Sequence, residues 1–598
     1  MADEQKKILP IDYTSRDFES IRGDLLEIAE RLYPDSFQDF SEASFGSLMV
    51  DAVSYIGDQL SFYLDYNVNE SFLDTAYQFN NILRHGRVLG YKYTGRPSTY
   101  GKAALYVLIP ASQTGLGPDS KYLPILRRGA QFTSETGLNF SLVENVDFSN
   151  PKFPVVVARV DDTTGAPTFY AVKAYGTVVS GIMTTERVTA GSYEKFKTIT
   201  LTTPNISEVI SVFDTEGNEY FEVDYLAQDM VFKEVANKSF KQDNVPSILK
   251  PFLVSRKFMV IKNSSSTMLQ FGSGKHGASD VVANPQTVAM DSWGKTYTTA
   301  LTFDPTRLSN NQSLGIVPQN TTLIVTLRAT NPTNSNIATG ELTGVASSTL
   351  EFEDRTQLTT DVINSIQTSL EVSNEEPITG DVTNPNSAEV KQRIFDTFPT
   401  QNRAVTQADY ENITYRMPAK FGSVKRVSAQ RDPDSQKRNL NLYVLSEDSF
   451  GKLIKTNSTI KNNLKKWLNE YRMINDTIDI LDPYIINLGI NFSIKTINGA
   501  DKFATLNRCV TKLANFYESG FFIGESMTIS DIYQQLKNVA GVLDVVNVTI
   551  IGRTGANYSG SNIEINKSLS PDGDQLLCPK NAIFEIKYPT ADIKGKVK

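Results

Sequence analysis

Hydrophobic positions along this chain follow three different rhythms. Near the start, Phe18, Ile21, Leu25, Ile28 and Leu32 recur at steps of 3, 4, 3 and 4. That is the a/d seam of a helix that packs along one narrow stripe. Thr14 with Asp17 is placed to cap it, and Pro34 to end it. Met49, Val53, Ile56, Leu60 and Tyr63 repeat the pattern at steps of 4, 3, 4 and 3. A third helix is predicted from near Ser71 to about Gly90. Each seam runs only about two heptads, too short for a free coiled coil in water. The helices must therefore pack on one another or on another chain, and the pattern alone leaves both open.

From residue 96 to 345 the rhythm shortens. Gly, Pro, Ser, Thr and Asn rise, and brief apolar runs alternate between turn formers. Leu105 to Ile109, Val209 to Phe213 and Leu323 to Leu327 read as strands of β-sandwich or barrel-like layers. Residues 346–386 read as a helix and a polar connector, SNEEPITGDVTNPNSA, whose turn formers mark a plausible boundary.

The third rhythm mixes both periods over 387–552. Val390, Ile394 and Phe398 stripe a short helix. Leu440, Leu442 and Val444 alternate as a strand, and Ile460, Leu464, Trp467 and Tyr471 stripe a helix. Ile486, Leu488, Ile490, Phe492 and Ile494 alternate strictly with Asn487, Gly489, Asn491 and Ser493. That gives one apolar face and one face for solvent or a partner. Leu506, Val510, Leu513 and Tyr517 form the next helix, Thr528 with Asp531 caps another, and Val542 to Ile550 make a last strand. The order β-α-β-β-α-β points to a ferredoxin-like module. The fold class is then α+β multidomain: a helical region (1–95), a β-rich middle (96–345), a helix and connector (346–386), an α+β module (387–552) and an extension (553–598). The extension is polar and turn-rich, with one short strand near Ile583 to Ile586, and wraps or extends an edge.

Length and composition narrow the function classes. At 598 residues the chain holds roughly four domains, taking ~150 residues each. Tyr (26) and Phe (32) far outnumber Trp (2), which suits β layers and large contact surfaces. A net charge of −8 without a basic block argues against nucleic acid as a partner. Lys461, Lys465 and Lys466 read as a solvated helix face. Cys509 falls on the apolar side of a helix and reads as a buried thiol, in keeping with a reducing compartment. The opening MADEQKKILPID has no signal-peptide core, and no apolar run reaches about 18 residues, so a soluble cytoplasmic product with no membrane partner is expected.

Little catalytic material is present. The two histidines are His85 and His276. His85 in LRHGRVLG reads as a helix-end polar contact. His276 lies in FGSGKHGASD, where Gly272, Gly274 and Gly277 spell GxGxxG. No helical stripe follows, so a glycine-rich turn is the better reading than a phosphate loop. Ser526 in GESMT lacks the last glycine of a nucleophile elbow. Asp432 with Asp434, and Asp572 with Asp574, sit in proline turns without the further ligands of a calcium loop. No cofactor and no metal is expected.

The stretch Arg403 to Val427, RAVTQADYENITYRMPAKFGSVKRV, reads locally as helix, stop, turn and strand. Thr406 and Asp409 form a capping box, Tyr410 and Ile413 begin an apolar stripe, Pro418 stops the helix, and Phe421-Gly422 turns into a strand over Ser423 to Val427. It also resembles the C-terminal signature of the baseplate J-like family, the wedge proteins that ring the baseplate of contractile phage tails. Residues 39–93, DFSEASFGSLMVDAV through VLGYKY, resemble the opening of T4-type wedge proteins. Residues 123–148, LPILRRGAQFTSETGLNFSLVENVDF, are similar to a family hairpin. The third matching segment spans 403–550.

This resemblance implies a structural subunit and not an enzyme. It implies assembly with a second copy and a different wedge subunit through the N-terminal helices, and contact with neighbouring wedges and sheath-initiating proteins through the C-terminal module. The location implied is the virion tail baseplate, after assembly in the host cytoplasm. The candidate interface residues are then Phe18, Ile21, Leu25, Ile28, Leu32, Met49, Val53, Ile56, Leu60 and Tyr63, with Arg403, Asp409 and Tyr410. Two alternatives stand beside it. A receptor-binding or fibre-like tail protein would suit the Tyr-rich, Thr/Asn-rich middle, although no repeat period is found. A cell-wall glycan hydrolase would need two facing carboxylates.

Overall fold

The computed structural model describes residues 16–32, 44–112, 116–237, 247–275, 314–331, 333–433 and 439–598. Thr14, Pro34, His276, Gly277 and Asp434 lie outside them. The chain divides into two units, Met1–Tyr91 with Pro385–Phe395 and Lys92–Asn384 with Asp396–Lys598.

The first unit contains α1 (Phe18–Leu32), α2 (Phe45–Glu70), α3 (Phe79–Val88) and the opening of α4 (Ser387–Thr400). Ser44 starts α2, its hydroxyl accepting from the Ser47 N–H at 3.1 Å. The third helix begins eight residues later than the sequence predicts, at Phe79. The reason lies at Glu70, whose carboxylate accepts the N–H groups of Tyr77 (2.8 Å) and Gln78 (3.0 Å). Those bonds hold residues 71–78 as a turn. Ile82, Leu83 and Gly86 of α3 are buried. A methyl on Gly86 would lie 2.8 Å from the Ile394 side chain of α4, so glycine permits that close crossing. Val390 and Ile394 are buried as predicted, but Phe398 is exposed.

The second unit is built on sheets. β1 (Tyr100–Pro110), β2 (Val155–Val160), β3 (Pro167–Ser180) and β4 (Glu371–Ser373) belong to one seven-stranded sheet. Its order is Leu342–Ser347, Gln131–Ser134, Asn139–Leu142, β3, β1, β4, with β2 on the outer part of β3. β1 and β3 pair antiparallel over the whole length of β1, with Leu105 opposite Ala174. A second seven-stranded sheet holds Ile206–Asp214 and Thr322–Ala329, which contain the predicted strands Val209 to Phe213 and Leu323 to Leu327. The segment read as a connector is packed inside: β4 pairs with β1, and Asn374, Ile378, Thr379 and Asp381 are buried.

The C-terminal part carries α5 (Gln407–Tyr415), α6 (Ser458–Asn469), α7 (Lys502–Phe516) and α8 (Ile529–Lys537). Its strands are β5 (Arg426–Arg431), β6 (Asn439–Glu447), β7 (Tyr484–Thr496), β8 (Val542–Gly552), β9 (Ala582–Glu585) and β10 (Ile593–Val597). The expected single ferredoxin-like sheet is not formed. β5 and β6 lie in one four-stranded sheet, whereas β7, β8, β9 and β10 form another. β5 also starts three residues later than predicted, because its ladder opens at Arg426 opposite Leu445. β7 alternates as expected, and Leu488, Ile490 and Ile494 are fully buried. Its polar face is not all open: Asn487 is buried and donates to Glu585 at 2.7 Å. The extension supplies β9 and β10, both parallel to β7. It also supplies Asp574, whose backbone carbonyl takes the Ile529 N–H at 2.7 Å and whose carboxylate takes the Ser530 N–H at 3.2 Å. Asp574 therefore starts α8, and the Thr528 side chain makes no cap bond.

Candidate assembly surface

α2 is 26 residues long, about 39 Å at 1.5 Å per residue. The face it turns to α1 is small and polar. Ser47 and Ser54 are buried there, and a methyl on Gly57 would meet the Ile21 side chain at 3.1 Å. Arg22 pairs with Asp51 at 2.5 Å and Arg16 with Asp65 at 3.2 Å. The partner numbers rise on α2 as they fall on α1, so the two helices run antiparallel. Phe18, Ile21, Leu25 and Leu32 are half-buried, and Ile28 is 36% exposed.

The apolar seam of α2 points the other way. Met49 (50%), Val53 (48%), Ile56 (56%), Leu60 (59%) and Tyr63 (57%) are exposed, flanked by Leu48, Phe62 and Leu64. Full burial of such a side chain contributes roughly 1.5–3 kcal/mol, and these five, about half exposed, leave a good part of that to be gained from a partner. A contiguous apolar stripe of this length is a candidate interaction surface. At its end, Glu70 also accepts from the Asn81 amide at 2.9 Å. That bond, with the two backbone N–H donors, holds its carboxyl below the ordinary value of 4.5, against the opposing effect of burial. His85 sits at the end of α3, its Nε2 2.9 Å from the Glu70 carbonyl, a helix-end polar contact.

Within the stretch Arg403 to Val427, Asp409 and Tyr410 are engaged by their own unit. Asp409 accepts the Thr406 N–H at 2.8 Å and returns its own N–H to the Thr406 hydroxyl at 3.2 Å, the predicted capping box. Tyr410 is 1% exposed and donates to Asp476 at 2.7 Å, and burial raises its phenol well above the ordinary value. Its ring is occupied by its own core and offers no surface. Arg403 is exposed, its guanidinium 3.4 Å from the Gln401 amide oxygen. Gly422 takes φ 91°, the turn that Phe421-Gly422 predicts.

One polar network was not legible in the sequence. Asp381, buried, pairs with Arg96 at 2.8 Å and accepts the Ser335 N–H at 3.0 Å. Glu447, also buried, pairs with Lys425 at 2.7 Å and accepts the Thr383 N–H at 2.7 Å. The Asn336 amide donates to the backbone carbonyls of both, at 2.7 and 2.9 Å. Each carboxylate is held by its own cation, which makes this a clasp between the connector and β6. Burial raises the Asp381 carboxyl even against Arg96.

The sites weighed for chemistry are used structurally. The Ser526 hydroxyl accepts the Cys578 N–H at 3.4 Å. Gly272 and Gly274 let the chain run close to Leu314–Val317: a methyl on Gly272 would overlap the Leu314 carbonyl, and Gly274 and Val317 are joined by a backbone bond of 2.9 Å. Lys461 pairs with Asp482 at 2.8 Å. Cys509 is buried, and burial pushes its thiol up to about 11. Among the described residues no cluster of three His, Cys, Asp or Glu is placed to hold a metal, and no helix is long and apolar enough to cross a membrane.

No curated protein matches the chain. Two solved assemblies align with it weakly. The cryo-EM structure of the anti-feeding prophage (AFP) baseplate shares 7% identity over 96% of this chain and 99% of that one, at a TM-score of 0.26. The type VI secretion system TssK-TssF-TssG baseplate subcomplex shares 10% identity over 72% of this chain and 96% of that one, at 0.24. The sequence match is local and coincides with the helices just described: residues 17–88 match the family described as bacteriophage baseplate protein, N-terminal domain.

Proposed function

We propose that this chain is a structural subunit of the baseplate wedge of a contractile phage tail. Through α1 and α2 it joins a second copy of itself and a different wedge subunit. Through its C-terminal module it contacts neighbouring wedges and sheath-initiating proteins, in a ring around the tail tube that rearranges on contraction. Its place is the virion tail baseplate, after assembly in the host cytoplasm, and its work is scaffolding rather than catalysis. The observation that carries this reading is the outward apolar stripe Met49 to Tyr63, within the segment that matches a baseplate N-terminal domain.

The test is co-expression with the other tail proteins of its source and purification of the complexes. Removing residues 1–70 is expected to abolish co-purification while the cooperative melting of the remainder persists. Retained co-purification, or a full-length chain that stays monomeric beside every tail protein, would overturn the reading. Release of soluble sugar from cell-wall glycan would instead establish the hydrolase alternative.

A further inference from the structure

β2 is an exposed edge strand whose first half is regular. Its sequence, Val-Val-Val-Ala-Arg-Val, is β-prone and mostly apolar, and all six residues are exposed. Among the described residues it pairs only with β3. The other edges of this sheet are blunted. Leu342–Ser347 carries two register irregularities, and β4 is three residues long with Pro377 close behind. Natural edges are usually shortened, bulged or charged against further pairing, and β2 carries two register shifts, both at Arg159 in its C-terminal half. Its straight part is Val155 to Val157.

The free side presents backbone groups ready to bond. The Lys173 N–H donates to the Pro154 carbonyl at 3.1 Å, which makes that a hydrogen-bonded pair of the β2–β3 ladder. Such pairs alternate along an antiparallel ladder, so Val155 and Val157 turn their N–H and C=O groups outward. The ends carry opposite charge: Lys152 precedes the strand, and Asp161 and Asp162 follow it, all exposed. An antiparallel two-fold pairing centred on Val157 pairs outward residues with outward residues and brings Lys152 of one copy opposite Asp162 of the other, with Asp161 beside it. A parallel partner would place like charges together.

We infer that β2 is a strand-pairing surface for a second copy of this chain, closing an antiparallel β2–β2 ladder across a two-fold axis. This contact is separate from the α2 stripe and does not depend on the baseplate reading. An isologous pair of this kind consumes both edges and leaves none for growth.

The test mixes equal amounts of unlabelled and nitrogen-15-labelled full-length chain and treats them with a zero-length carbodiimide crosslinker. Heavy–light peptides joining Lys152 to Asp161 or Asp162 are expected. Amides of Val155 and Val157 are expected to exchange with deuterium at least tenfold more slowly at high than at low protein concentration. Val157→Pro removes an outward N–H at a position an edge strand tolerates, and should lower the heavy–light crosslink at least tenfold at an unchanged melting temperature. If that variant melts lower, Asp162→Lys serves instead, and should abolish the concentration-dependent protection. Crosslinks confined to single chains, with exchange at Val155 and Val157 independent of concentration, would overturn the inference.

Discussion

The helix α2 and the strand β7 hold similar apolar residues at regular spacing and use them in opposite ways. In β7, Leu488, Ile490, Phe492 and Ile494 face a core closed by α7 and α8, where Leu513, Ile532 and Leu536 are buried. In α2, serine, glycine and aspartate face α1 within the chain, and the apolar stripe is left outside. The difference teaches that periodicity identifies a burying face but not what buries it. β7 is completed by its own chain. We propose that α2 is completed from elsewhere, because among the described residues its five large apolar side chains stay exposed on one stripe.

That contrast breaks first where the chain buries its own face. Ile490→Asp places an unpaired carboxylate among Leu488, Ile550 and Ile593, and mechanisms of that kind cost more than about 4 kcal/mol. Loss of the cooperative melt, followed by circular dichroism, is the expected outcome. Asp381→Ala removes the partner of Arg96, and breaking a buried pair costs about 3–5 kcal/mol. A urea melt of the full chain should show its midpoint falling accordingly, while a midpoint within error of wild type would remove the clasp.

A smaller effect separates the helical unit from the rest by pH. The Glu70 carboxyl is lower in the folded chain than its ordinary value of 4.5. Its contribution is therefore fully present above that value and is lost as pH falls through the folded value. Hydrogen exchange of residues 71–81 should quicken below about pH 4.5 in the wild type, beyond the intrinsic pH effect. Glu70→Gln should remove this extra dependence, and an identical profile in the variant would contradict the assigned role.

Much of this was legible in the sequence because it rests on local rules. The a/d seams, the capping box of Thr406 and Asp409, the turn at Gly422 and the alternation of Ile486 to Ile494 are set by neighbours a few residues apart. The failures are long-range. Asp574 starts α8 from 45 residues downstream of Ile529, so the nearer Thr528 was the only visible cap. β4 lies in a segment whose composition reads as a linker, yet its pairing with β1 and the Asp381–Arg96 pair bury it. β6 and β7 follow the right order for one sheet, but order does not specify pairing partners, and they enter two. At the assembly surface the seam residues were legible, whereas their outward direction was not. It depends on Ser47, Ser54 and Gly57 winning the contact with α1, a choice that hydrophobic periodicity does not record.

The central claim is that the α2 stripe serves assembly and not the fold. Its direct test is Ile56→Asp with Leu60→Asp in the full chain, measured by sedimentation in the presence of its co-expressed tail partners and by thermal melting alone. The account predicts that the assembled species disappears while the melting temperature stays within about 2 °C of wild type, because exposed substitutions change stability by about 0.5 kcal/mol or less. Assembly that survives both charges, or a melt that collapses as for Ile490→Asp, would contradict it.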